Sequence, residues 1–253
     1  MIRNVSETKN TVSCIFRAFL YNKFGQKPNR KGRFHTMEKQ NKKYLITSLG
    51  MLAAFVLWTV AVCTIDVRAI GSEGSEVGFG ALNEWFHKLT GVHLFLYYAT
   101  DYLSLIPLVV AAGFAILGVT QWIKRKNLTK VDRDILILGG FYIAVIGAYA
   151  FFELFPVNYR PIWIEGRLEA SYPSSTTVLV ACVMSTAALQ LRSRVKAPRL
   201  RTCLCYAMAV FAVLMIVCRL ISGVHWLTDI VGGLLLSAGL VSVYRLFYRL
   251  CSK

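Results

Sequence analysis

The sequence predicts an all-α integral membrane protein with a core of six transmembrane helices. Hydrophobic residues make up 56% of the chain and its mean hydropathy is +0.52, too apolar for a soluble core of 253 residues. Apolar runs of about twenty residues, the length that crosses a hydrocarbon layer, recur six times. Between them, basic residues are dense and sparse by turns, as in loops that fall alternately on the two sides of a bilayer.

Residues 1–43 are polar and basic and read as a flexible cytoplasmic arm near the lipid surface, with Gly25, Pro28 and Gly32 expected to break any helix. Met37 stands just ahead of the first span and is an alternative translation start. No apolar run in residues 1–34 has the length of a secretory signal, so the first span, 44–65, is expected to remain as an anchor. The loop 66–93 begins acidic and glycine-rich, then turns amphipathic from Leu82 through Leu96, the pattern of an interfacial helix. The second and third spans read as 103–123 and 135–154. The fourth, 174–191, is the shortest and requires Thr176 and Thr177 to lie near an interface. The fifth and sixth, 202–221 and 226–246, complete a membrane domain of residues 44–253.

Charge placement sets the expected orientation. Of 29 lysines and arginines, eleven precede the first span, five follow the second, five follow the fourth and three end or follow the sixth. All of these fall on one side of a six-span topology, which is therefore cytoplasmic and holds both termini. The other five, Arg68, Lys88, Arg160, Arg167 and Arg219, fall on the outer side, against the rule, and need a local reason. Basic residues that track loop position speak against nucleic acid as a partner and for membrane lipids. The seven cysteines show no metal-ligand spacing, so neither zinc nor a disulfide is expected.

The densest polar chemistry lies between the last two spans, in the run from Cys218 and Arg219 through Gly223 and His225 to Asp229. Ionisable groups beside long apolar segments lean functional. If Trp226 onward is helical, His225 and Asp229 share a face, and a carboxylate on one ring nitrogen leaves the other free as base, nucleophile or ligand. Arg219, across a bend that Gly223 permits, carries a planar fork suited to a phosphoryl group. Two further segments fall on the same side. One is Glu153 to Arg160-Pro161; the other is Pro173-Ser174-Ser175-Thr176-Thr177. Pro173 suits the first turn of a helix, and the hydroxyls and free N–H groups behind it suit an anion.

In order and spacing these three segments resemble the type 2 phosphatidic acid phosphatase (PAP2) superfamily, whose motifs are K-x6-R-P, P-S-G-H and S-R-x5-H-x3-D. The third motif matches at Arg219, His225 and Asp229, with Cys218 for serine. The second matches at Pro173 and Ser174, with Ser175 for glycine and Thr176 for histidine. The first matches at Arg160 and Pro161, with Glu153 for lysine. The resemblance implies a six-helix bundle in a bacterial plasma membrane with an outward-facing site. It implies His225 as nucleophile forming a phosphohistidine, Asp229 as its orienter, and Arg160, Arg219, Ser174, Ser175 and Thr176 as phosphate-binding groups. Neither metal nor cofactor is implied, and the substrate is a lipid phosphate or an isoprenoid or other lipid diphosphate.

The departures bear on chemistry. Thr176 cannot protonate a leaving group near neutral pH, a role worth about 10²–10⁴ in rate, so a diphosphate, with its better leaving group, is the favoured ester. Alternatively Glu165, Glu169, His87 or His93 supplies the proton, and Arg167 or Lys88 the missing positive charge. The rival readings are a lipid-binding or scaffold protein of little turnover, and a lipid transporter.

Overall fold

The computed structural model describes residues 30–251, with side chains from Gln40 onward. The expectations for residues 1–29 lie outside the described residues. Helix α1 runs Arg30–Thr64 and passes through Gly32, where the sequence reading placed a break. One glycine among good helix formers costs only about 1 kcal/mol, too little to stop a helix.

After α1 a two-stranded antiparallel hairpin, β1 (Arg68–Ala69) and β2 (Glu76–Val77), leads into α2 (Gly80–Thr90) and α3 (Leu94–Leu103). The amphipathic stretch 82–96, expected as one helix, is therefore two. Gly91 closes α2 at φ +66°, and residues 91–93 are non-helical. The chain continues through α4 (Leu105–Arg125), α5 (Arg133–Leu154), α6 (Ser175–Arg194), α7 (Pro198–Ile221) and α8 (Leu227–Cys251). Pro198 starts α7, where a missing N–H costs nothing. At the α4–α5 turn, Asp132 accepts from Gln121 and Arg125 at 2.8 Å each.

Six helical segments among the described residues are long and apolar enough to cross a membrane: Gln40–Thr64, Leu94–Arg125, Arg133–Leu154, Ser175–Arg194, Pro198–Ile221 and Leu227–Cys251. They match the six predicted spans, with Ile65, Ser174 and Trp226 falling just outside, and the second takes in α3 as well. Helix α6 is the least apolar and the most enclosed of them, with more than half of its window buried. It packs against α4, α5, α7 and α8. The core on its α5 and α8 sides holds Leu138, Phe141, Val178, Cys182, Leu236 and Tyr244. Helix α8 reaches α6 closely because Gly233 presents no side chain; a Cβ there would lie 3.1 Å from Thr177 Cβ. Large apolar side chains on the outer faces, such as Leu57, Val109, Ile143 and Val213, are exposed, as suits contact with lipid tails.

Toward the middle and the α4–α5 end of the bundle, Gln190 and Thr186 find partners on neighbouring helices. Gln190 donates to Tyr244 Oη at 2.7 Å and to the Asp134 carbonyl at 3.1 Å, and Thr186 lies 3.3 Å from Tyr142 Oη. At one end of the bundle the loops 65–79, 91–93, 155–174 and 222–226 meet, tied by Ser72 Oγ to Arg160 O (2.9 Å) and by His93 N to Ser222 O (2.9 Å).

Candidate active site

The site is assembled from these loops. Between α7 and α8 the chain turns at Gly223, whose φ of +69° is a conformation that favours glycine. A Cβ there would run into the Gly91 carbonyl and lie 3.1 Å from Val92 Cα. His225 follows, buried, and α8 begins only at Leu227. His225 therefore stands on the turn ahead of α8, which starts one residue later than the sequence reading placed it. Asp229, in the first turn, reaches back so that Oδ2 accepts from Trp226 N–H at 2.8 Å, meeting a donor that helix starts leave unpaired. Trp226 donates from its indole to the Tyr159 carbonyl at 2.8 Å, and Asn83 on α2 donates to Thr228 Oγ1 at 3.0 Å.

The expected direct bond between Asp229 and His225 is replaced by a bridge. Asp229 Oδ2 and His225 Nδ1 are 3.6 Å apart, beyond hydrogen-bond distance. The Ser171 hydroxyl sits between them, donating to Asp229 Oδ2 and lying 3.1 Å from His225 Nδ1. Ser171 is buried and is delivered by a hairpin in the α5–α6 loop, in which Tyr159 bridges Ala170 and Ser171 N donates to Asn158 O at 3.0 Å.

The same hairpin carries Arg160, whose N–H donates to the Glu169 carbonyl at 3.2 Å and whose Nη2 pairs with Glu169 Oε2 at 2.9 Å. Arg219, on the last turn of α7, is 1% exposed and donates to Thr100 Oγ1 at 3.3 Å and to the Tyr97 carbonyl at 3.5 Å. Both guanidiniums lie over the ring of Tyr97 on α3, Arg219 at 4.7 Å and Arg160 at 5.6 Å from the centroid. Arg160 Nε and Nη1, Arg219 Nε and His225 Nε2 are all buried without a protein partner. Burial, reinforced by the positive charges of Arg219 and Arg160, holds the His225 imidazole well below the usual histidine range, so it is neutral at pH 7.

Ser174 caps α6, its Oγ accepting from Thr177 N at 3.5 Å and from Thr177 Oγ1 at 3.1 Å. Pro173 accordingly precedes the helix instead of standing in its first turn. Ser175 and Thr176 line a cavity of about 380 Å³ between α4, α5 and α6, together with Ser171. Its walls are mostly apolar, among them Leu108, Ile146, Phe152 and Leu179, and Asp101 and Glu153 also line it. Glu153 is exposed.

The alternative proton donors and cations are otherwise engaged or exposed. His87 Nε2 is 3.1 Å from the Gly223 carbonyl, His93 Nε2 is 2.9 Å from the Thr90 carbonyl, and Lys88 pairs with Glu84 at 2.6 Å. Glu165 and Arg167 are exposed in a turn; Glu169 alone of this group touches a predicted site residue, Arg160. Among the described residues no three His, Cys, Asp or Glu side chains converge as metal ligands would. The sequence reading missed Tyr97, Ser171 and Asn158. Ser171 lies two residues ahead of the Pro173 motif and was within its reach; Tyr97 carries no local signal.

Comparison with known proteins gives two findings. The profile of the PAP2 superfamily matches residues 110–252. The crystal structure of a transmembrane PAP2-type phosphatidylglycerolphosphate phosphatase from Bacillus subtilis superposes with a TM-score of 0.54 at 18% identity, covering 79% of this chain and 94% of that one. No functionally curated protein matches the sequence.

Proposed function

Because the chain belongs to the PAP2 superfamily, we propose that it is an integral-membrane phosphatase acting on a lipid phosphate or, preferentially, a lipid diphosphate. The observation that carries this reading is the set of unpartnered buried atoms, Arg160 Nε and Nη1, Arg219 Nε and His225 Nε2. Buried polar groups are nearly always hydrogen-bonded. Guanidinium donors left open beside a neutral imidazole suit a phosphoryl group that brings its own acceptors.

In this mechanism the phosphoryl oxygens take hydrogen bonds from Arg160 and Arg219, helped by the start of α6 at Ser174, Ser175 and Thr176. The His225 Nε2 lone pair attacks phosphorus, the phosphorus–oxygen bond to the lipid portion breaks, and the leaving oxygen departs with that electron pair. Water then attacks the phosphohistidine, restoring neutral His225 and releasing phosphate. Asp229 orients the ring. Thr176 offers no acidic proton at the leaving oxygen, so a phosphate monoester leaving from a diphosphate is favoured over an alkoxide. The apolar walls of the cavity beside Ser171 support a lipid tail as the remainder of the substrate. The basic residues crowded at the opposite end of the bundle support a site that faces outward, with both termini cytoplasmic.

The test is phosphate release by the purified chain from mono- and diphosphate esters sharing one tail, with His225→Ala as control. Turnover lost in His225→Ala upholds the phosphoenzyme, and undiminished turnover refutes it. Glu153 on the cavity wall, where the family pattern has lysine, favours a second reading as a lipid-binding protein of the same fold. Retained binding with no turnover on any ester would select it.

A further inference from the structure

We infer that Ser171 is a positioning residue whose hydroxyl couples Asp229 to His225 and fixes the histidine in its reactive tautomer. The inference rests on the phosphoenzyme reading above and adds to it a residue outside the three matched motifs.

The geometry supplies the argument. A hydroxyl has one proton and two lone pairs. Ser171 donates its proton to Asp229 Oδ2, which leaves a lone pair to face His225 Nδ1 at 3.1 Å. An atom that presents only a lone pair requires a proton on its partner, so Nδ1 carries N–H and Nε2 is left bare. Asp229 cannot impose this alone, since 3.6 Å separates it from Nδ1. Nor is its Oδ2 free to turn toward the ring, because it also accepts from Trp226 N–H at 2.8 Å. The bare Nε2 is buried and has no protein partner, as an attacking lone pair requires.

The relay also accounts for charge during reaction. When the Nε2–phosphorus bond forms, the ring becomes cationic and its Nδ1–H bond to Ser171 Oγ strengthens. That oxygen is already polarised by donation to the carboxylate, so Asp229 stabilises the cation across the serine with no proton changing owner. When water cleaves the phosphohistidine, the electron pair returns to Nε2 and the Nδ1 proton stays in place.

The test compares Ser171→Ala, Ser171→Thr and Ser171→Cys in the full chain. Ser171→Ala leaves Asp229 Oδ2 bonded to Trp226 N–H, so the fold is expected to survive; Ser171→Cys keeps the volume with a weak hydrogen-bonding group and serves if alanine does not. The chain has four histidines, so nitrogen-15 spectra of histidine-labelled protein resolve His225 by its absence in His225→Ala. Wild type should show Nδ1–H with an unprotonated Nε2. Ser171→Ala and Ser171→Cys should lose that preference, with kcat reduced about 10²–10³-fold and KM within about threefold. Ser171→Thr, which keeps the hydroxyl, should restore the tautomer and most of the rate. A wild-type His225 protonated at Nε2, or a Ser171→Ala variant with wild-type tautomer and kcat, overturns the inference. The spectra need no substrate, so absence of turnover in wild type would refute the proposed function while leaving the relay to be judged on the tautomer.

Discussion

Replacing Tyr97 by leucine removes a ring that the guanidiniums of Arg160 and Arg219 share while keeping an apolar side chain in its place. Cation–π pairs within about 6 Å of the centroid contribute about 0.5–1 kcal/mol when exposed and about 2 when desolvated. Arg219 at 4.7 Å is almost wholly buried, and Arg160 at 5.6 Å nearly so. The two contacts together are therefore worth about 2–3 kcal/mol. Without the ring, two like charges in a poorly solvated pocket lose a common partner and part from each other. If that energy is expressed in transition-state positioning, kcat/KM on the preferred ester falls about 30–150-fold, since each 1.36 kcal/mol is tenfold. Tyr97→Phe keeps the quadrupole and should stay within about twofold. The assay is phosphate release by both variants at matched protein levels. Leucine performing like phenylalanine, or phenylalanine failing like leucine, would refute the argument, the second because the hydroxyl and not the ring would then matter.

Three further outcomes are expected. Gly223→Ala should lower the thermal midpoint in detergent by an amount corresponding to about 2 kcal/mol or more, because alanine is strained at positive φ and its methyl meets the Gly91–Val92 backbone; an unchanged midpoint would show that the corner relaxes freely. Because burial and then the charges of Arg219 and Arg160 lower the His225 pKa, the neutral nucleophile persists below about pH 6.5 and is lost only as pH falls through the depressed value. The acid limb of kcat/KM, which reports the unliganded enzyme, should lie below that of ordinary histidine and rise toward it in Arg160→Gln, and a wild-type limb at or above pH 6.5 would contradict the electrostatics. Thr176→His places an acid on the wall of the 380 Å³ cavity and should raise turnover of monophosphate esters more than that of diphosphates; equal gains on both would mean that leaving-group protonation is not what limits the monophosphates.

The six spans were legible because hydropathy over a bilayer thickness is a one-dimensional signal. Arg160, Arg219, His225 and Asp229 were legible for a related reason, since an ionisable group among apolar neighbours stands out in one dimension. Their mutual geometry was not. The i,i+4 spacing of His225 and Asp229 suggested stacking on a helix, but the carboxylate is engaged at the helix start, which leaves His225 on the preceding turn and admits Ser171 between them. Tyr97 was invisible for the opposite reason. An aromatic in an apolar stretch is ordinary, and only the approach of α3 to α7 and of the 159–170 hairpin sets two arginines on its face. The amphipathic run across residues 82–96 misled because amphipathic α2 is followed at once by the apolar start of α3, across a break at Gly91 that periodicity does not register.

The polar make-up of α6 bears on how the protein is made. Thr176, Thr177, Thr186 and Gln190 are all buried, and the last two find partners on α5 and α8. Thr177 and Thr186 keep bonds to α6 itself, but alone in hydrocarbon Gln190 Nε2 would lose both the Asp134 carbonyl and Tyr244, and the helix has little apolar surplus to offset this. Lipid is thus a poor solvent for the segment that bears Ser174 to Thr176, and a good one for α1, α4, α5 and α7. During synthesis α6 is expected to wait at the insertion machinery until α7 and α8 arrive, so that a chain truncated at residue 196 should fail to hold α6 across the bilayer. A half-built chain would then never display the proposed site: the arginine of α7, the loop before α8 and the hydroxyls of α6 come together only when the last helix closes the bundle.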